Sequence, residues 1–247
     1  MPVYPDPAVL YPEVAVVGSL AAALRIAAAE QGLSVPLPVT ASSSFHRALI
    51  PTIVPNRLEL EVTASHVERR WFVWGCERDQ GMALIEGDTQ DLAQVAKAAQ
   101  AWHDGTALAD IPEIAPFVTL TGRFEVPNSD PTQLVVSEWQ HLRKEAAEVN
   151  WPEYHALIEA AYAEPTLRQL YPFTSHWSLR FSTRTRPSLS REVMVCLHAG
   201  RGTEYTITLG YEGPLLGQTA TAEEAVAVAV HHLPTDLSSV TYGAPEI

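Results

Sequence analysis

Residues Tyr171–Thr183 read YPFTSHWSLRFST. From His176 to Arg184 the residue types alternate. Trp177, Leu179 and Phe181 fall on one side, and His176, Ser178, Arg180, Ser182 and Arg184 on the other. Side chains of a β-strand point to opposite faces in turn, so this pattern predicts a strand with one buried and one wet face. Trp177, Leu179 and Phe181 are then expected to pack a core.

Two further strand-like runs follow, REVMVCL (Arg191–Leu197) and EYTITLGY (Glu204–Tyr211). Between them the GRG of Gly200–Gly202 reads as a hairpin turn, because a phosphate-binding glycine loop needs a strand-to-helix setting. TAEEAVAVAVHHL then predicts a helix, opened by the T-x-x-E capping box of Thr221 and Glu224.

The first half of the chain repeats the order. SLAAALRIAAAEQG (Ser19–Gly32) has a capping serine, an alanine-rich body and a glycine past its end. LSVPLPVTASSSF reads as loop from its prolines and serines. LELEVT (Leu58–Thr63), RWFVWGC (Arg70–Cys76) and GMALIEG (Gly81–Gly87) read as strands, and TQDLAQVAKAAQAWHDG (Thr89–Gly105) as a helix. Between the halves, Ser137–Val149 and Pro152–Tyr162 read as helices, with Pro152 tolerated at a helix start.

The expected class is α+β. Two antiparallel sheets of three to four strands are each covered by helices, a helix-strand-strand-strand-helix order that suggests internal duplication. The expected division is an N-terminal unit at 1–115, a helical connector at 116–170 and a C-terminal unit at 171–247.

Composition narrows the function classes. The 247 residues carry 29 Asp and Glu against 16 Lys and Arg, a net charge of −13. Nucleic-acid binding draws on positive charge and counterion release, so nucleic acid is not an expected partner. The N-terminus lacks the basic and apolar regions of a signal peptide. The apolar run Val14–Ala29 is too short to span a bilayer and carries Arg25, so no membrane association is expected. Two cysteines, Cys76 and Cys196, make no disulfide framework. Both are expected to be reduced and buried, as suits a cytoplasmic protein.

No G-x-S-x-G, P-loop, H-E-x-x-H or C-x-x-C motif occurs. Scattered histidines and two separated cysteines give no closed metal-ligand set, so neither metal nor cofactor is expected. His231 and His232 are neighbours near a helix end, where a cation complements the helix dipole. His141 lies between Glu138 and Glu145 at helical spacing, a carboxylate–imidazole arrangement suited to acid–base work or to a solvated face. His155 with Glu159 has the same two readings.

The wet face of the opening strand is the other candidate. His176 and His141 are the expected catalytic bases. Arg180 and Arg184 would hold an anion through the planar guanidinium fork, with Ser178, Tyr171 and Trp177 beside them. Arg186, Arg191 and Arg201 add positive charge nearby.

Val136–Thr183 (VSEWQHLRKEAAEVNWPEYHALIEAAYAEPTLRQLYPFTSHWSLRFST) and Gly217–Pro234 (GQTATAEEAVAVAVHHLP) resemble a bacterial domain-of-unknown-function family, number 6193. AWHDG (Ala101–Gly105) and PFVTLTGRFE (Pro116–Glu125) are similar to it too, so the likeness extends over roughly residues 70 to 242. Its members are commonly labelled natural-product biosynthesis proteins, which implies a role in secondary metabolism and no particular catalytic residue. The expected function is an accessory or tailoring protein binding a small or peptidic anionic substrate, with any chemistry being cofactor-free acid–base catalysis. The alternative is a non-catalytic interaction or immunity-like module, and an oligomer is compatible with either.

Overall fold

Ser19 opens a helix by accepting from the Ala22 N–H at 3.2 Å. In the computed structural model, which describes residues 5–36, 44–190, 193–202 and 204–244, that helix is the third of three. They are α1 (Pro7–Leu10), α2 (Pro12–Val17) and α3 (Leu20–Glu30). The strands β1 (Arg47–Ile50), β2 (Leu60–Ala64), β3 (Trp71–Cys76) and β4 (Ala83–Thr89) follow. The helices α4 (Leu92–His103) and α5 (Ile111–Ile114) precede β5 (Val118–Leu120). The five strands form one antiparallel sheet in sequence order. Its inner face offers Leu60, Val62, Trp71 and Val73 to Val95 and Trp102 of α4, all buried. A Cβ on Gly75 would stand 2.6 Å from the Trp102 ring, so only glycine lets helix and sheet close there.

The second unit starts at Gly122. Its helices are α6 (Pro131–Glu148), α7 (Pro152–Ala163) and α8 (Pro165–Arg168). After them come β6 (Tyr171–Ser175), β7 (Ser178–Ser182), β8 (Arg184–Pro187), β9 (Val195–Ala199), β10 (Tyr205–Leu209) and β11 (Leu215–Thr219). The chain closes with α9 (Ala222–His231) and β12 (Thr241–Gly243). Five strands form an antiparallel sheet in the order β11-β10-β9-β7-β6, while β8 leaves it to pair in parallel with β12. Thr221 caps α9 through the Glu224 N–H at 3.2 Å. Leu179, Phe181, Leu197 and Ile207 face the helices in a second core containing Trp139, Leu157 and Ala225.

The class is α+β, with five strands in each main sheet rather than three to four. The chain divides into units 1–121 and 122–247. The segment 116–170, expected as a connector, is shared between them. Val118–Leu120 completes the first sheet, and α6–α8 bury apolar residues in the second core. Both cysteines are free thiols. Cys196 is buried, but Cys76 is only half-buried, because Trp71, Val73 and Gly75 take the inward positions of β3. Arg191 and Glu192, the start of one expected strand, lie outside the described residues. Among the described residues no helix is long and apolar enough to cross a membrane.

Candidate functional site

The stretch that predicted a continuous strand is a hairpin. Ser175 pairs with Ser178, so His176 and Trp177 form a two-residue turn with φ of 52° and 64°. Such a turn matches the twist of its strands but requires positive φ at both positions, which asparagine and glycine adopt most readily. Trp177 is thereby lifted out of the expected core row. It is 44% exposed and sets its ring edge-on to Tyr154, at 5.3 Å. Leu179 and Phe181 are fully buried, as the alternation predicts.

The wet row also ends early. Arg184 does not continue past Ser182 on the same face but begins β8, exposed and registered with Thr241. The cause is local: the Ser182 hydroxyl donates to the Arg184 carbonyl at 2.6 Å and turns the chain. Tyr171, expected at the site, is fully buried. His141 lies on α6 beside Gly122, whose added Cβ would meet the His141 Cα at 3.1 Å. Its neighbour Glu138 is buried and held by Nε and Nη2 of Arg123, at 2.7 and 2.9 Å. Glu145 accepts from the Tyr154 hydroxyl at 3.3 Å. Glu159 is held by Arg143 at 2.7 Å, so it does not serve His155 alone. His232 Nδ1 lies 2.9 Å from the Val228 carbonyl.

The residues that do converge are on the outer face of β7, β9 and β10. Register places Arg180 opposite Cys196, and Cys196 opposite Thr208. Ser178 and His198 are one pleat further along the same face. Ser178 Oγ lies 2.8 Å from His198 Nδ1, and His198 Nε2 lies 3.0 Å from Thr208 Oγ1. Thr208 spends its single hydroxyl proton on the Gly210 carbonyl, at 2.7 Å. Toward the imidazole it must therefore accept, which puts the proton on Nε2 and leaves Nδ1 to accept from Ser178. Burial holds His198 below the usual imidazole range, so the ring is the neutral base that this bonding needs.

Arg180 sits 5.1 Å above the Phe173 ring and is registered opposite Cys196. Burial pushes that thiol up, and Arg180 offsets only part of the effect, so Cys196 stays protonated. The turn after β10 folds Tyr211 over the array. Its ring centre is 6.4 Å from that of His198 and 5.5 Å from that of His176, whose Nδ1 is 3.3 Å from Ser175 Oγ. Gly213 makes the turn feasible, since a Cβ there would collide with the Leu209 carbonyl.

A serine hydroxyl bonded to a neutral imidazole, itself oriented by a third group, is the arrangement that moves protons or activates a nucleophile. The structure thus brings together Ser178, Arg180 and, through Tyr211, His176. His198, Thr208 and Tyr211 were not expected. Alternation in VCLHA places His198 beside Cys196 on the outer face, and that signal could have found it. Among the described residues, no three His, Cys, Asp or Glu side chains converge to hold a metal ion.

Residues 133–244 match the model of a family described as "Family of unknown function (DUF6193)". This range contains the whole array, whereas Ala101–Gly105 and Pro116–Glu125 lie outside it. Comparison with curated proteins and with solved structures gives no match. The matched range, the part that carries Ser178, His198 and Thr208, is where the chain is similar to this family of unknown function.

Proposed function

We propose that the outer face of the second sheet binds a small anionic substrate and that His198 moves a proton there without a resident cofactor. The hydrogen-bond chain Ser178–His198–Thr208 carries this reading, because it fixes both the tautomer and the neutral state of the base. Arg180, one pleat away, supplies the positive charge that an anion needs. The family resemblance supports a place among accessory or tailoring proteins of natural-product biosynthesis, in the cytoplasm.

A thermal-shift screen of small carboxylates and phosphates tests the binding, since a ligand that favours the folded state raises its stability. Arg180→Ala is expected to weaken the hit by about 1.5–3 kcal/mol if it holds the charged group. His198→Gln is expected to keep binding and lose turnover. A hit indifferent to both substitutions would remove this face from consideration.

A second reading has its own observation. Met194, Leu209, Tyr211 and Leu215 are all exposed by more than two-fifths at one end of the same sheet. An apolar patch of this kind suits a partner protein. Under that reading, Leu215→Glu abolishes association and Arg180→Ala does not.

A further inference from the structure

A cleft of about 1040 Å³ opens in the first unit, at the upper end of the range for small-molecule sites. Phe72 and Trp74, successive outward residues of β3, form one wall. Their rings are 5.6 Å apart and 18° from parallel. His46 and His66 also line the cleft, their ring centres 4.1 Å apart and their planes tilted by 44°. Thr63 is registered between Arg47 and Phe72 and joins the walls.

Two features single this cleft out. Phe72 and Trp74 lie on the face away from the core of α3 and α4, where a solvated sheet needs only polar residues. Half-buried there, they present a flat π-surface that fills no core. The polar lining is the second. Arg47 is its one guanidinium and Asp6 its one carboxylate, and two imidazoles add hydrogen-bonding nitrogens. Burial, and then the neighbouring His66, hold His46 below its usual range, so it is a neutral hydrogen-bonding group. Its buried Nδ1 has no hydrogen-bond partner among the described residues.

We propose that this cleft binds a planar aromatic acid, its ring system stacked on Phe72 and Trp74 and its carboxylate directed to Arg47 and the imidazole pair. The site is independent of the His198 array. The aromatic wall supplies area, and Arg47 supplies the sign of the ligand. Arg47 already bonds Glu61 through Nε at 2.6 Å, which orients the guanidinium and leaves its other N–H groups for a second carboxylate.

Titration of the full chain with 2-naphthoate, read by calorimetry, tests the proposal. Saturable binding at a single site is expected, weakened about tenfold by Trp74→Ala through loss of stacking. Should that variant unfold, Trp74→Leu keeps the apolar volume without the ring and is expected to show the same loss. The neutral 2-naphthamide should bind about fivefold more weakly, and Arg47→Gln should abolish that preference. No saturable binding, equal affinity for acid and amide, or indifference to Trp74 would overturn the proposal. So would loss of binding in Arg180→Ala with retention in Trp74→Ala, which would place the acid on the second sheet.

Discussion

The first sheet turns Phe72 and Trp74 to its outer face, whereas the second turns Ser178, Arg180, Cys196 and His198 to the corresponding side. Behind those faces the two units follow one plan. Each has five antiparallel strands, and each inner face is apolar and covered by helices. The inner positions are interchangeable in kind, since burying apolar area is all that they must do. The outer positions are not, and there chemistry can differ while the scaffold persists. One face offers stacking area, and the other a fixed chain of hydrogen bonds.

The contrast between inner and outer positions can be broken most directly with two phenylalanines. Phe181 is fully buried in the second core, so Phe181→Ala is expected to cost about 3–5 kcal/mol in urea denaturation. Phe72→Ala removes the same side chain from the outer face of the first sheet and should cost about 1 kcal/mol or less. Equal costs would mean that the outer face is covered as a core is.

A second contrast sets two ion pairs side by side. Arg123 and Glu138 are 9% and 5% exposed, while Arg47 and Glu61 are 53% and 36% exposed. Removing one partner of the buried pair strands a charge, so Arg123→Ala is expected to cost about 3–5 kcal/mol. Arg47→Ala should cost no more than about 1 kcal/mol, because solvent already screens that pair. Denaturation of both variants at low and high salt checks this, with salt sensitivity expected only for the exposed pair.

Turns provide a smaller test. The β3–β4 connection of the first sheet places Gly81 at a φ of 64°, where glycine carries no penalty. The β6–β7 turn forces His176 and Trp177 into the same left-handed region. Replacing the pair by Asn-Gly should stabilise the second unit by about 0.5–1 kcal/mol, after the lost Trp177–Tyr154 contact is counted. A drop in the melting temperature would show that the aromatic contact outweighs the backbone strain.

That turn also marks the limit of the sequence reading. Central strands announced themselves: Leu60 and Val62 in β2, Trp71 and Val73 in β3, and Leu179 and Phe181 in β7 alternate as strands with one buried face must. The strands that went unread are sheet edges or the small separate pair. β6 contains Pro172, which an edge strand tolerates because one side needs no ladder donor. β11, LLGQT, has no buried residue and so no alternation to detect. β8 and β12 are short and pair across more than fifty residues of sequence, which no local pattern reports. At the site, Arg180 and Ser178 were legible from alternation. Alternation in VCLHA gives the face of His198 but not its partners, which strand register supplies, and Trp177 was misplaced because a two-residue turn interrupts the period without a glycine to signal it.

Acid titration gives the most selective test, because each unit holds one histidine below its usual value. Burial lowers His198 in the second unit, and burial followed by His66 lowers His46 in the first. Unfolded, both return to about 6.5. Below that pH the unfolded chain takes up protons that the folded chain refuses, so stability falls as the pH drops from 6.5 toward the folded values. Each group can contribute at most about 1.4 kcal/mol per pH unit. His198→Gln and His46→Gln should each flatten the stability profile between about pH 6.5 and 5, and the double variant should flatten it most. If His46→Gln flattens the profile and His198→Gln does not, the first unit keeps its neutral imidazole. The chain from Ser178 to Thr208 then fails to hold a base, and the proton-transfer role falls with it.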